Sequence, residues 1–502
     1  MTQRSPDPVL EVDTARAVQT GISTEVGATA AASVQPKPVG ISPGGVRLRI
    51  ARERFREWLF FDSHIARAML ALMAFGLGVV MLLTGRHGRG TAILAQTHRA
   101  AALPSVDRAI ERLFRRALDN APDRLARGIR RAVEEFPSTA PVAPHTQRFL
   151  DQPDLLLNGC SLVLKSPRAN EKGVLYLYYS YVYPFFMRAF DMDAITRRYR
   201  VVIEPSWSGF CDMNVLSLGV LKQTVLVGAG EARDARFLRS VSSTLIPADF
   251  TGNTWVDTDR FKPIAGTPKD IDVIVIAAWA WYKRHWAIFR ALRTLQDRGH
   301  VLRMALVGYP IDMTAADVIS VARHYGVEDQ IEIHESVPHE SVNLLLNRSR
   351  VNLLWSRREG SNRAIAEGMG ADVPCILRKG FNYGEAYPHI NADTGRFADE
   401  DELPDVLLEM LDQSGSGRAR EWMLTRMTPI ESTRRMNDTL RATALAQGEA
   451  WTVDAVVKVS HLGGLGYLDP SDEDRFKADD DFLRSTILGH ARDEAVGTTH
   501  AA

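Results

Sequence analysis

The sequence predicts an α/β protein with two doubly wound parallel sheets that face each other across a cleft. Three observations support this fold class. Short apolar runs of strand length alternate with helical patterns from about residue 173 to residue 412. Several helical patterns carry start and stop residues of their own. The alternation pauses near Pro263, so the strand–helix units fall into two sets, and repeated units of this length form parallel sheets.

The first set forms a short α/β half that ends at about Pro263. A strand rich in Tyr, Val and Leu begins at Gly173, and "RVVIEPSWSG" (residues 200–209) is a strand that ends in a loop. "TVLVGAG" and "STLIPADF" predict two further strands. We assign residues 137–264 to this N-terminal domain.

The second set is more regular. "DIDVIVIA", "VLRMALVG", "QIEIHE", "VNLLW" and "VPCIL" each predict a strand. Gly299 is the stop residue of the helix after the first strand. The next helix opens with the capping-box pair Thr314 and Asp317. We assign residues 265–412 to this C-terminal domain and residues 413–502 to C-terminal helices and an acidic tail.

Composition narrows the class of protein. A chain of 502 residues is longer than one ordinary domain. It has 61 basic and 61 acidic residues, so no charge excess indicates nucleic-acid binding. The three cysteines show neither metal-ligand spacing nor a disulfide framework. These features favour a cytoplasmic protein.

Two segments precede the α/β part. Residues 1–54 contain no aromatic residue and predict a disordered tail. Residues 55–136 are Arg-rich and helical, and they include the apolar run at residues 66–85. Its uncharged part, Ala68 to Thr84, would span about 25 Å as a helix, near the lower limit for crossing a bilayer. The run is either an anchor at the inner face of the plasma membrane or a buried helix of a helical subdomain.

One segment, "SRREGSNRAIAEGMGADVPCIL" (residues 356–377), carries the candidate site. Glu359 lies in the loop after a predicted strand, and Glu367 lies on the following helix, which Ser361 or Asn362 caps. Ligands of parallel α/β sheets bind at the carboxyl ends of the strands. The sequence therefore predicts a ligand site at this loop.

The same segment resembles the signature of retaining glycosyltransferases of family 4, in which seven residues separate two glutamates before a strand. Two more segments occur in the family's order. "WVDTDRFKP" (Trp255 to Pro263) resembles the family's segment between the two halves, and "VIVIAAWAWYKRH" (Val273 to His285) resembles its strand and lysine-bearing loop. The resemblance implies the GT-B fold, in which two Rossmann-like domains face a cleft, the first for an acceptor and the second for a nucleotide-sugar.

The resemblance also implies roles for individual residues. Glu359, the candidate catalytic residue, would hold the transferred sugar, and Glu367 would bind the ribose hydroxyls. Lys283 and Arg284 can neutralise a diphosphate as leaving-group charge develops. Amide groups at the start of a helix also suit a diphosphate anion, and here they belong to Gly360, Ser361 and Asn362. Neither a metal nor another cofactor is then required beside the UDP- or GDP-sugar donor.

The chain departs from the family pattern in three places. Ala278 stands where an Arg usually follows the strand, which affects the binding of phosphate. The Asn of the glutamate motif lies one position early, at Asn362, with Arg363 in its place. The first half has Tyr179, Ser180 and Tyr181 instead of a Gly-Gly loop.

The sequence thus predicts a retaining, metal-independent glycosyltransferase. Its expected acceptor is a glycan, a lipid-linked glycan or a cell-surface polysaccharide, and membrane association follows if residues 66–85 form an anchor. Two alternatives remain open: a non-catalytic GT-B scaffold module and a nucleotide-sugar epimerase of the same fold.

Overall fold

The computed structural model describes residues 40–380, 387, 389–413, 418–461 and 464–489. Six helices precede the first sheet: α1 Pro43–Glu57, α2 His64–Leu83, α3 His87–Arg99, α4 Pro104–Leu118, α5 Arg124–Thr139 and α6 Pro144–Asp151. The first α/β part then contains β1 Ser161–Lys165, β2 Gly173–Tyr178, α7 Tyr183–Ala189, α8 Met192–Arg198, β3 Tyr199–Glu204, α9 Met213–Leu216, β4 Val225–Gly228, α10 Ala232–Val241 and β5 Leu245–Ala248.

The second α/β part contains β6 Ile271–Ile276, α11 His285–Asp297, β7 Met304–Gly308, α12 Ala315–Tyr325, β8 Ile331–Glu335, α13 His339–Arg348, β9 Ser349–Leu354, α14 Arg363–Gly370, β10 Cys375–Arg378, β11 Gly395–Ala398 and α15 Leu403–Asp412. The C-terminal part contains α16 Ala419–Arg426, α17 Pro429–Ala446, β12 Lys458–His461, β13 Gly464–Tyr467, α18 Asp472–Arg475 and α19 Lys477–Ser485.

Two sheets organise the molecule. The first has the order β1-β2-β3-β4-β5, with β1 antiparallel to β2 and the other pairs parallel. The second has the order β11-β10-β9-β6-β7-β8 and is parallel throughout. The predicted α/β fold class is confirmed: two domains, each built on a largely parallel sheet, form the GT-B architecture. The strand order of the second sheet reverses between β9 and β6, as in a doubly wound sheet, whereas β2 to β5 of the first sheet follow one another in chain order. Each strand predicted from the sequence is present, and β1, β11 and the hairpin β12–β13 add to them.

Helices α3, α4 and α5 belong to the first domain. Leu94 of α3 and Ile110 and Phe114 of α4 are fully buried, in one core with Val201 of β3. Helices α4 and α5 are amphipathic, and their apolar sides are buried in the core of the first domain. The division predicted between residues 136 and 137 is therefore corrected, because the helices before it are part of the domain core.

Helix α1 lies within the segment predicted to be disordered. Ser42 caps it and Pro43 begins it, a common start for a helix. Its buried residues Val46 and Ile50 belong to the core of the second domain. The prediction for residues 43–54 was wrong because an aromatic-poor composition does not reveal two apolar residues one helical turn apart. The rest of that tail, up to residue 39, lies outside the described residues.

The C-terminal part returns to the first domain. Met436 and Leu440 of α17 pack in one core with Tyr176 of β2 and Trp255. The segment predicted as an acidic tail is partly folded: Asp479 of α19 is buried and accepts hydrogen bonds from the hydroxyls of Tyr199 and Ser166. The return of the chain couples the two domains.

Helix α2 corresponds to the apolar run, and one side of it is covered by protein. Ala71, Gly78 and Leu82 are buried. A Cβ atom on Gly90 of α3 would lie 2.8 Å from the carbonyl oxygen of Gly78, so the two helices touch backbone to backbone. The helix is therefore packed on the first domain, but the domain does not enclose it.

The other side of α2 is exposed and apolar. Its seven large exposed side chains recur at helical spacing and form what we call the apolar stripe: Ile65, Met69, Leu72, Met73, Leu77, Val80 and Leu83. Three exposed aromatic residues precede the stripe: Phe55, Trp58 and Phe60. Among the described residues, α2 is the helix long and apolar enough to cross a membrane. The expectation of a buried helix holds for one side of α2 only.

Candidate functional site

A cavity lies between the two domains at the carboxyl ends of their strands. The first domain contributes Glu204 at the end of β3, Ser206 in the loop after it and Thr251 after β5. The second domain contributes Gly360 and Ser361, from the loop after β9. The site predicted at the loop before α14 therefore faces the first domain across a cleft.

The loop after β9 touches the first domain directly. The amide of Ser361 donates to the carbonyl oxygen of Ser206 at 3.2 Å, and the hydroxyl of Ser208 donates to the carbonyl oxygen of Glu359 at 2.9 Å. A side chain on Gly360 would clash with the Ser206 carbonyl. Gly360 thus allows the backbone of the first domain to approach this loop closely.

Glu359 and Lys283 meet in the second domain. The Lys283 ammonium group donates to Oε1 of Glu359, and the Ser356 hydroxyl donates to the same oxygen. The side chains of Lys283 and Glu359 are only 9% and 5% exposed. The structure therefore joins the predicted catalytic carboxylate and the predicted phosphate-binding lysine, which lie 76 residues apart in the chain.

Helix α14 begins as the sequence predicts, with Asn362 as its N-cap residue. The Asn362 side chain accepts a hydrogen bond from the amide of Ile365 at 3.4 Å. The amides of Ser361 and Asn362, two of the three predicted for a diphosphate, are hydrogen-bonded within the protein. To bind these two amides, phosphate oxygens would have to replace the carbonyl oxygens of Ser206 and Gly360, which accept their hydrogen bonds here.

Glu367 is buried on α14 beside Arg363. The shortest distance between their charged groups is 3.4 Å, and burial raises the pKa of Glu367 although the nearby Arg363 cation lowers it. The guanidinium of Arg363 also lies 3.4 Å from the carbonyl oxygen of Ser460. The ribose-binding role of Glu367 stays a prediction.

Arg284 is placed differently from the expectation that it binds the donor. Its guanidinium group is 1% exposed and forms two hydrogen bonds with Glu57 of α1, at 2.6 and 2.9 Å, and one with Glu400, at 2.5 Å. Its backbone is left-handed, with φ of 60°. We correct the expectation because two carboxylates already hold this cation, so it does not take the place of the Arg absent at Ala278.

The N-terminal segment also reaches the loop that carries Glu359. Asp62 accepts a hydrogen bond from Arg357, whose guanidinium carbon lies 5.3 Å from the centre of the Phe61 ring. Glu57 thus contacts Arg284, the neighbour of Lys283, and Asp62 contacts Arg357, two positions before Glu359. No pattern in the sequence connects residues so far apart.

The sequence interpretation also missed a buried cluster around Glu204 of the first domain. Glu204 ends β3 and accepts a hydrogen bond from the Tyr176 hydroxyl. Lys458 of β12 lies 3.6 Å from the same carboxylate. A glutamate at the end of a predicted buried strand was a usable signal, whereas nothing marked the lysine 254 residues later.

Among the residues that the structure describes, no group of three or more His, Cys, Asp or Glu side chains is arranged to hold a metal ion.

Residues 257–417 match the family model described as glycosyl transferases group 1. This range contains Lys283, Glu359 and Glu367. No curated protein matches the chain.

Solved structures with similar folds include glycosyltransferases. Sucrose-phosphate synthase from Thermosynechococcus elongatus is 14% identical, with 54% of this chain and 73% of that one covered and a TM-score of 0.42. HepE from Anabaena, in complex with UDP, is 13% identical over 53% and 78% of the chains, with a TM-score of 0.42. The C-terminal domain of a group 1 glycosyl transferase from Francisella tularensis is 13% identical over 34% and 98%, with a TM-score of 0.30.

Proposed function

We propose that the protein is a glycosyltransferase that moves a sugar, with retention of configuration, from a nucleoside-diphosphate sugar to an acceptor. The contact between Lys283 and Glu359 carries the proposal. It puts a cation and a carboxylate together at the loop before α14, within the part that matches the group 1 model. A transferred sugar and its diphosphate leaving group need this pair of opposite charges.

The chemistry assigns each side chain a task. Lys283 neutralises the negative charge that develops on the diphosphate as the glycosidic bond breaks. Glu359 lies beside the sugar, whose ring carbon becomes positive in the transition state, and Ser356 keeps the carboxylate in place. The Ser361 amide exchanges the Ser206 carbonyl for a phosphate oxygen, so donor entry loosens the contact between the domains. These residues do the work without a metal ion in the proposed mechanism.

A panel of UDP, GDP and ADP in titration calorimetry, with EDTA present, tests the donor class. We expect UDP or GDP to bind in the micromolar range that is common for enzyme substrates. Lys283→Met should weaken the diphosphate about tenfold or more, because a charge-assisted hydrogen bond is lost, and should leave the nucleoside unaffected.

Each alternative predicts a different result in the same experiments. A scaffold module would bind none of the nucleotides. An epimerase would convert the nucleotide-sugar with no acceptor present, and product analysis with and without acceptor distinguishes the two activities. The anomeric configuration of the product, measured by NMR, tests retention.

We also propose that the apolar stripe rests on an anionic lipid surface, at the inner face of the plasma membrane. The acceptor would then be a lipid-linked glycan or a cell-surface polysaccharide. The opposite side of α2 packs on the first domain, so the helix can enter the bilayer to about half its width but not cross it alone. Exposed basic residues flank the stripe, namely Arg54 before it and Arg86 and Arg89 after it. They suit the phosphate groups of anionic lipids.

Vesicle sedimentation tests this surface. The triple variant Leu72→Gln, Met73→Gln, Leu77→Gln should lose at least about tenfold in affinity for phosphatidylglycerol vesicles, since three exposed apolar side chains no longer enter the lipid. The matched control replaces Val301, Ile430 and Leu445 by Gln; these are equally exposed but lie elsewhere. Equal vesicle binding by wild type and triple variant, or a wild type that forms dimers and ignores vesicles, would contradict the proposal.

A further inference from the structure

The Glu204 carboxylate has one oxygen in use and one without a partner. Oε2 accepts the hydrogen bond from Tyr176 and faces Lys458. Oε1 is buried and forms no hydrogen bond, although the residue is only 1% exposed. A buried carboxylate oxygen without a partner is unfavourable unless something else binds to it.

Lys458 lies beside the other oxygen of this carboxylate, Oε2. Its ammonium group is fully buried, 4.0 Å from the ring centre of Trp255 and 4.5 Å from that of Tyr176. Burial lowers the pKa of Lys458 to about 7 and raises that of Glu204. Two aromatic rings and a hydroxyl therefore fix the orientation of a charged pair in the core.

Glu204 lines the cavity between the two domains. A Cβ atom built on Gly252 would clash with Oε1 of Glu204 and would lie 3.2 Å from Cβ of Ser361. Oε1 therefore lies at the close contact between the first domain and the loop after β9. Gly252 makes this contact possible because it has no side chain.

The first domain also contains a buried Lys–Glu pair in which both carboxylate oxygens have hydrogen-bond partners. Lys165 and Glu171 lie 2.5 Å apart, and both residues are buried. The amide and the hydroxyl of Thr452 donate to the two oxygens of Glu171, at 2.7 and 2.5 Å. This pair joins the returning C-terminal chain to the sheet, as Glu204 and Lys458 do, but both of its oxygens are occupied. Joining the chain to the sheet therefore does not require a free oxygen.

We propose that Oε1 of Glu204 accepts a hydrogen bond from a hydroxyl group of a sugar ring that lies in the cavity between the domains, once donor entry has loosened the contact between Ser361 and Ser206. This inference rests on the proposed function and extends it to the first domain. The hydroxyl belongs either to the sugar of the donor or to a sugar of the acceptor, and both have the same hydrogen-bonding chemistry. Glu204 binds the substrate, and Lys458 and Tyr176 are positioning residues.

Two matched double variants test the assignment. Glu204→Met with Lys458→Met removes the free oxygen together with its partner, and Lys165→Met with Glu171→Met makes the same change at the closed pair. Apolar replacement of a whole buried ion pair is often tolerated by a fold. Gly252→Ala places a methyl group against Oε1 without altering any charge, so it tests the same subsite if the first variant fails to fold.

The readouts separate the two sources of the hydroxyl. Calorimetry compares UDP with UDP-glucose and GDP with GDP-mannose. Transfer to free glucose, galactose, mannose or N-acetylglucosamine is compared with hydrolysis of the donor. If the donor sugar binds Glu204, the affinity for the nucleotide-sugar should fall about tenfold or more while the free nucleotide is unaffected. If the acceptor sugar binds there, transfer should fall about tenfold relative to hydrolysis, with donor affinity unchanged.

The inference is overturned if the Glu204 and Gly252 variants match wild type in both readouts, or if the Lys165–Glu171 variant shows the same losses. A wild-type chain that binds neither nucleotide would instead contradict the proposed function, and the subsite would fall with it. The nucleotide titration of wild type therefore distinguishes the two failures.

Discussion

Glu359→Gln should turn over the donor at least about a hundredfold more slowly, equivalent to roughly 2.7 kcal/mol of activation free energy. The amide keeps the shape of the side chain but removes the charge that faces the positive sugar carbon in the transition state. Nucleotide affinity should not fall, because Lys283 is released from its ion pair and becomes available to the diphosphate. Steady-state turnover and calorimetry measure the two quantities.

Glu367→Gln provides the comparison for this result. If Glu367 binds the ribose, its variant should lose affinity for UDP or GDP rather than turnover, by about ten- to a hundredfold. Thermal unfolding of both variants controls for damage to the fold, since both carboxylates are buried. If Glu359→Gln turns over the donor at the normal rate, the proposed chemistry is wrong. The protein would then resemble glycosyltransferases in its fold only.

Arg284→Met should lower the free energy of unfolding by about 3 to 5 kcal/mol, because it leaves two partly buried carboxylates without the buried cation that bridges them. Glu57 and Glu400 would then face each other's charge, with Arg290 and Arg378 still near Glu400 and Arg357 still near Glu57. Urea unfolding, followed by circular dichroism, measures the change. Nucleotide affinity of the folded fraction should be unaffected.

Arg290→Met is the matched control for that experiment. Arg290 also pairs with Glu400, but its side chain is 34% exposed, so its loss should cost less than about 1 kcal/mol. An Arg284→Met protein of normal stability that has lost nucleotide affinity would restore the donor-binding role expected from the sequence.

The sequence was informative where chemistry is local. Asn362 caps α14 and Gly326 ends α12 because these positions need particular backbone geometries, which short-range patterns reveal. Glu359 was recognisable because the loop, the strand before it and the helix after it are contiguous. The contact between Glu359 and Lys283 is explained by the parallel pairing of β6 and β9, which aligns the carboxyl ends of the two strands.

Features that depend on distant segments could not be predicted. Arg284 follows Lys283 in the chain, yet its left-handed backbone directs it to Glu57, 227 residues earlier. Neither residue type nor spacing reveals such a contact. The same holds for the role of α3 and α4: their apolar residues belong to the domain core, so deletion up to residue 136 would remove core side chains along with the apolar run.

If the apolar stripe rests on a membrane as proposed, the two contacts between the N-terminal segment and the loops of Lys283 and Glu359 would set the distance between the reaction site and the membrane. Phe60 is exposed, and Asp62, two residues later, holds Arg357 of the loop that carries Glu359. Two residues span at most about 7 Å. On the proposed membrane-bound protein, the donor therefore stays near the headgroups, and a lipid-borne acceptor would reach it by lateral diffusion. Its encounter rate would then depend on the surface density of the acceptor rather than on its concentration in the cytoplasm.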